Sequence, residues 1–158
     1  MLTMTKETRV AKVTVNTLLK GALEVDEQQL ITFAVPLLGF EHLKRFLIYQ
    51  TKPGALYWMQ AVEDAKVGFC LLAPFQAGLD PDLEIAGEDV ADIGAASAAD
   101  IEVYTVVVLD PVPSERRTNL RAPILVGRAS RIAKQVVLAD HRLPIKFFLR
   151  DLKPMEKT

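Results

Sequence analysis

Apolar and polar residues alternate with a period of two along most of the chain, in segments rich in Val, Ile, Phe and Tyr. That period sends successive side chains to opposite faces of an extended backbone, so it predicts strands. Strands are expected over 10–16, 22–26, 30–34, 45–50, 56–62, 67–73, 83–86, 101–109, 123–128, 133–139 and 145–150. Turn chemistry separates them: "TKPGA" carries Pro-Gly, while "APFQAGLDPD" and "LDPVPSE" carry Pro and Asp.

Helical signal is thin. "EHLKRF" can form one turn after Gly39. "EDVADIGAASAAD" sets Val90 and Ile93 at helical spacing, and Gly94 with the small residues after it predicts a short helix running out into a loop. Many short strands with few helices predict an all-β, mainly antiparallel fold, a compact single-domain barrel or sandwich with one or two short helices. The domain is expected to fill residues 1–158, with its core over about 10–150 and the tail 151–158 frayed.

The stretch "RTNLRAPILV" (117–126) reads as extended, yet holds Asn119, Arg121 and Pro123. Proline lacks an N–H and belongs at a strand's first position, and it drives Ala122 to an extended conformation. Asn119 can close a local turn through its side chain. "TNLRAP" is therefore expected to steer the chain from a turn into a strand, with Arg121 facing solvent.

Composition narrows the class. Half of the 158 residues are hydrophobic and the net charge is −1, so a core is affordable and bulk charge demands neither nucleic acid nor a membrane. The apolar runs are too short to span a bilayer as helices, and the N-terminal stretch does not read as a signal peptide. The single cysteine, Cys70, excludes an internal disulfide and fits a reducing compartment. Charge is unevenly spread. No Lys or Arg lies between Lys66 and Arg116, and that gap holds Asp80, Asp82, Glu84, Glu88, Asp89 and Asp92 among its acids. From Ser114 onward 11 basic residues face 4 acidic ones, against 8 and 16 before it. Such halves are either solvated faces that partly neutralise each other or a surface for a charged partner.

Candidate chemistry is sparse. His42 and His141 have no ligand at metal spacing, so neither a metal nor another cofactor is expected. Cys70 in "GFCLL" reads as a buried hydrophobe. Ser97, Ser114 and Ser130 fall in no nucleophile elbow, and the glycines form no phosphate loop. Glu63 and Asp64 are adjacent carboxylates at a strand end, where Asp64 reads as a turn former. Nothing assembles a reaction centre, so a binding protein is favoured over an enzyme. The basic residues Arg116, Arg117, Arg121, Arg128, Arg131 and Lys134 keep a nucleic-acid-binding β module as the alternative, although the segment lacks aromatic stacking platforms. A small-ligand-binding barrel stands third.

Four blocks in order, "FAVPLLGFEHLKRFLIY", "YWMQAVEDAKVGFCLLAPF", "VVVLDPVPSERRTNLRAPILV" and "KQVVL", resemble the FliW family of flagellar assembly factors. The residues that carry the resemblance are Gly39, Phe40 and Glu41; Gln60, Glu63 and Asp64; Pro74 and Phe75; Asn119, Leu120 and Pro123; and Lys134 with Gln135. Val35-Pro36 stands where the family has a Gly-rich turn, and Ala61 replaces a serine. The resemblance implies a cytoplasmic, barrel-like, non-enzymatic protein that binds newly made flagellin and the RNA-binding translational regulator CsrA. Flagellin occupying such a protein would free CsrA to repress flagellin synthesis. Direct nucleic-acid and membrane contacts are not expected, and a monomer is. On this reading Asp80, Asp82, Glu84, Glu88 and Asp89 are candidate contacts for CsrA, whose RNA-binding role requires basic surface. Leu38 and Phe40 are candidate contacts for flagellin.

Overall fold

The computed structural model describes residues 11–152. Val10 of the first expected strand and residues 153–158 of the expected frayed tail lie outside the described residues. The strands are β1 (Lys12–Thr17), β2 (Gly21–Asp26), β3 (Leu30–Phe33), β4 (Arg45–Tyr49), β5 (Leu56–Ala61), β6 (Gly68–Leu72), β7 (Ile101–Val108), β8 (Arg117–Thr118), β9 (Ile124–Gly127), β10 (Ile132–Gln135) and β11 (Phe147–Phe148). The one α-helix among the described residues, α1, spans Gly87–Asp92.

Strands β7–β6–β5–β4–β3–β10–β9 pair in that order, and β9 pairs back onto β7, which closes a barrel of seven strands. Every pairing is antiparallel except β10 on β3. Closure works because β7 is long enough to change partners. Its Ile101–Tyr104 half pairs with β9, and its Thr105–Val107 half pairs with β6. Beyond that, Val107 and Val108 pair with β8, which pairs with β11. The fold is thus the β-rich barrel expected, with the sandwich alternative removed.

The barrel interior takes alternate residues of each strand: Ile31 and Phe33, Phe46, Met59 and Ala61, Leu71, Tyr104, Ile124 and Val126. Phe46 is central to it, edge-on to Phe33 at 5.2 Å between centroids and tilted against Phe69 at 6.2 Å. The outer faces are covered at two places. Hairpin β1–β2 lays Val13, Val15, Leu23 and Val25 over Leu30 of β3 and Leu47 of β4. On the far side, α1 and its neighbours pack Val90 and Ile93 over Ile101, Leu125 and Val136. Strand β9 is therefore buried on both faces, which is why "ILVG" shows no alternation.

Two expected strands fail in part or whole for physical reasons, and one expected turn forms without becoming a helix. Residues 83–86 are not a strand. They alternate half-buried Leu83 and Ile85 with exposed Glu84 and Ala86, so the pattern is real, but the segment has no ladder partner. The 133–139 strand stops at Gln135, after which Val136 and Leu138 donate to the carbonyls of Pro123 and Arg121 outside the sheet. "EHLKRF" makes a turn, with Leu43 N–H donating to Phe40 O at 2.9 Å, and enters β4 at Arg45 without a helix.

The "TNLRAP" stretch does turn the chain between β8 and β9, and Asn119 Oδ1 accepts from Arg121 N–H at 2.9 Å. Arg121, however, does not point freely to solvent. Its Nε donates to Leu143 O at 3.0 Å and its Nη2 to His141 O at 2.9 Å, so it pins the 138–144 segment to the barrel.

Candidate functional site

The acidic segment is an extended strap from Leu79 to Ala86 that leads into α1. Leu83 and Ile85 turn inward onto the outer core, and this parity sends Asp80, Asp82 and Glu84 outward as a row of exposed carboxylates. Glu88 is exposed on the first turn of α1. Asp89 is different: Lys134 Nζ lies 2.7 Å from its Oδ1 and 2.8 Å from Asp92 Oδ2. Those two hydrogen-bonded carboxylates raise the Lys134 pKa above its ordinary value. The stretch without Lys or Arg is therefore not a space without them. Lys134 enters from β10, and Arg142 stands near enough to Asp82 and Glu84 to feel their charge. Arg142 also grips Asp140 at 2.9 Å, which holds the Asp140 carboxyl down at about 2. Asp89 thus belongs to an internal ion pair, and Asp80, Asp82, Glu84 and Glu88 are the acids left facing outward.

A second feature is apolar. Between hairpin β1–β2 and β8 the outer face of β5 and β6 is only partly covered, with Trp58 and Cys70 half-buried. Trp58, Cys70 and Val107 sit opposite one another across three adjacent strands. Trp58 lies over Gly68, where any Cβ would strike the indole, so only glycine fits beneath it. Leu19, Leu56 and Leu109, each at least 40% exposed, rim a groove of about 290 Å³ above this row, with Lys52 at its edge. Cys70 lines that groove half-buried and is not the deep core residue expected from "GFCLL". Burial pushes its thiol pKa up, partly opposed by Arg116. Sequence reading missed the groove because its rim is drawn from distant parts of the chain: Leu19 on the β1–β2 turn, Leu56 at the start of β5 and Leu109 just after β7.

The residues proposed for flagellin part company. Leu38 is 92% exposed at the tip of the 37–40 turn, while Phe40 packs edge-on against Phe69 at 5.1 Å and against the barrel core. Gly39 sits at φ 86°, and Glu41 Oε1 accepts its N–H at 3.0 Å, which lowers the Glu41 pKa.

The other motif residues hold the frame. Gln60 is fully buried. Its Oε1 accepts from Leu18 N–H at 2.9 Å and from Trp58 Nε1 at 3.3 Å, while its Nε2 faces the carbonyls of Ala61, Ala65 and Val67. Glu63 Oε1 accepts the N–H groups of Lys44 at 2.7 Å and Arg45 at 3.0 Å, and Asp64 Oδ1 accepts Lys66 N–H at 2.9 Å in a turn. Pro74 is buried and Phe75 exposed. Leu120 is buried, Pro123 O accepts from Val136 N–H, and Gln135 Nε2 donates to Ala122 O. The basic residues behind the nucleic-acid alternative are each engaged internally: Arg116 with Asp110 O, Arg117 with Asp110, Arg121 as above, Arg128 and Arg131 beside Glu102, and Lys134 with α1. No group of three or more His, Cys, Asp or Glu among the described residues has a metal-holding arrangement. No described helix is long and apolar enough to cross a membrane.

Comparison with known proteins agrees with the motifs. The family model described as FliW protein matches residues 3–149. A flagellar assembly factor FliW of Caldicellulosiruptor saccharolyticus is 33% identical over 140 residues, covering 89% of this chain and 92% of that one. Its counterpart in Caldicellulosiruptor bescii is 34% identical over the same length with the same coverage, and that of Magnetococcus marinus is 32% identical over 123 residues, covering 77% and 76%. A crystal structure of the flagellar assembly factor FliW superposes with a TM-score of 0.78 at 23% identity, covering 87% of this chain and 96% of that one, which shows a shared fold.

Proposed function

The chain belongs to the FliW family of flagellar assembly factors, and on that premise we propose that it is a non-enzymatic, cytoplasmic protein that binds flagellin and CsrA and couples the level of one to the activity of the other. The observation that carries this reading is the pairing of two chemically unlike surfaces with no residue in common. One is the outward acid row Asp80, Asp82, Glu84 and Glu88; the other is the apolar groove rimmed by Leu19, Leu56 and Leu109.

The acid row suits CsrA, which must present basic surface to RNA. Charges of this kind chiefly set association rate and specificity. The groove suits flagellin, a protein that buries apolar surface when it assembles. Leu38, exposed on its own turn, is a second apolar anchor. Separate sites favour exclusion through a conformational coupling over direct overlap. Such a coupling is reciprocal and, at a typical 1–3 kcal/mol, weakens CsrA binding by roughly 5–150-fold and then saturates.

Titrating CsrA at several fixed flagellin concentrations tests the proposal. A CsrA dissociation constant that climbs and levels off is expected. A constant indifferent to flagellin removes the switch from this protein, and one that rises without limit puts both partners on one surface.

A further inference from the structure

Beside the groove but on another flank, the barrel holds a cavity of about 420 Å³ that the two-partner reading does not use. One wall is apolar and aromatic: Ile48, Tyr57 and Phe75, with Tyr57 set edge-on to Tyr104 at 5.3 Å. Glu102, Arg128 and Arg131 also line the cavity.

The cationic donors of this cavity are not used up. Each guanidinium has an Nη1 atom 3.6 Å from a Glu102 oxygen, too far for a hydrogen bond. Arg128 Nε donates to Ala99 O at 3.2 Å and Arg131 Nη2 to Gln29 O at 3.3 Å. Arg131 Nε is buried with no acceptor, which is costly because a buried donor gives up its water without return. Tyr104 OH donates to Glu102 Oε1 at 3.1 Å, so the carboxylate is turned toward a phenol as well. Arg131 also holds φ at 58°, a left-handed conformation that non-glycine residues adopt at a cost. The strain is fixed by its N–H bonding Gly127 O at 2.9 Å and its carbonyl accepting from Thr32 N–H at 3.0 Å. Two guanidiniums against one carboxylate leave a cationic excess in a cavity that aromatic side chains also line.

We infer that this cavity binds a carboxylate carried on an apolar or aromatic group, its oxygens received by the Arg131 and Arg128 guanidiniums and its apolar part lodged between Ile48, Tyr57 and Phe75. A planar fork meets a carboxylate at two points, which a lone ammonium cannot do. The cavity falls in the size range of small-ligand sites. The same chemistry is offered by a free small acid and by the last residue of a polypeptide.

Calorimetric titration of the full chain with N-acetylphenylalanine, its C-terminal amide and the peptide Gly-Gly-Gly-Phe tests this. The acid is expected to bind, and the amide to bind at least about tenfold more weakly, since it lacks the charge for the charge-assisted bonds. Arg131→Asn, a residue that tolerates the left-handed region, should lose acid binding by at least about tenfold while its thermal melt shows an intact fold. Tighter binding of the peptide than of the free acid assigns the site to a chain terminus, and the reverse assigns it to a small acid. Equal affinities for acid and amide, acid binding untouched by Arg131→Asn, or no heat with acid up to about 10 mM would each overturn the inference.

Discussion

Lys134 Nζ stands 2.7 Å from Asp89 Oδ1, joining β10 of the barrel to α1 across 45 residues of sequence. Helix α1 is a turn and a half long and has no side-chain N-cap, so little of its stability is its own. The ion pair and the packing of Val90 and Ile93 hold it, and with it the outer end of the acidic strap.

Removing that tie should loosen the strap without opening the barrel. In Lys134→Met, amide exchange is expected to quicken over residues 87–93 and to stay unchanged in β4 and β5. Asp89→Asn should do the same in milder form, and Glu88→Gln should not. Exchange measured by mass spectrometry reads all three. Unaltered protection of 87–93 in Lys134→Met would mean that apolar packing alone seats the helix.

The outward acids lead to a kinetic expectation. Changing Asp82 and Glu84 to Lys should slow CsrA association about tenfold at low salt, with the difference shrinking as salt screens the charge. Flagellin association should change less. Stopped-flow traces across a salt series decide it: equal slowing for both partners, or a CsrA rate insensitive to salt, would place the CsrA contact elsewhere.

Much of this arrangement was legible in the sequence, and the limits have identifiable causes. Period-two alternation located most barrel strands because they are buried on one face, whereas β9, buried on both, shows as a continuous apolar run. It also marked residues 83–86, which carry the same inward-outward parity with no hydrogen-bonded neighbour; periodicity reports burial, and a ladder is a separate fact. Asn119 was readable as a turn former because its partner, the Arg121 N–H, is two residues away. The roles of Arg121 and Lys134 were not, since their partners lie 20 to 45 residues distant, nor was the tie of Gln60 to Leu18, 42 residues away. For the same reason a run without Lys or Arg did not translate into an uncompensated face.

Gln60 is the buried polar group on which the hairpin depends. Gln60→Leu would strand the Leu18 N–H and Trp58 Nε1 that its Oε1 accepts, and would release the carbonyls of the 64–67 turn. A loss of about 2–4 kcal/mol in urea unfolding is expected, the range for breaking a buried hydrogen-bond network. Gln60→Glu offers the same acceptor but gives up the amide donors, and should also destabilise. A change below about 0.5 kcal/mol for Gln60→Leu would show that water replaces the amide.

The apolar groove and the Leu38 turn make opposed predictions for flagellin. Leu109→Asp puts a charge on the groove rim and should weaken flagellin binding by about tenfold or more, as expected when an apolar anchor is removed. Leu38→Asp, isolated on its turn, should weaken it by less. CsrA affinity measured beside them controls for stability. A larger loss from Leu38→Asp would move the flagellin contact to the 37–40 turn.

Tyr104 sets a pH dependence at the alkaline end. Burial first, and then the Glu102 carboxylate, raise its phenol pKa far above the ordinary value of 10.0. Above pH 10 the phenol therefore ionises in the unfolded chain while it stays protonated in the folded one. The folded state then binds more protons, so stability is fully present below the unfolded pKa and falls as pH rises toward the folded one. One such group contributes a slope of at most about 1.4 kcal/mol per pH unit. Tyr104→Phe lacks this slope. At pH 8 the variant should be less stable by about 1 kcal/mol, having lost the hydrogen bond to Glu102. By pH 11 the gap should close or reverse. Urea unfolding of both proteins at pH 8, 10 and 11 measures it, and stability curves that stay parallel would show that the phenol ionises as readily in the fold as outside it.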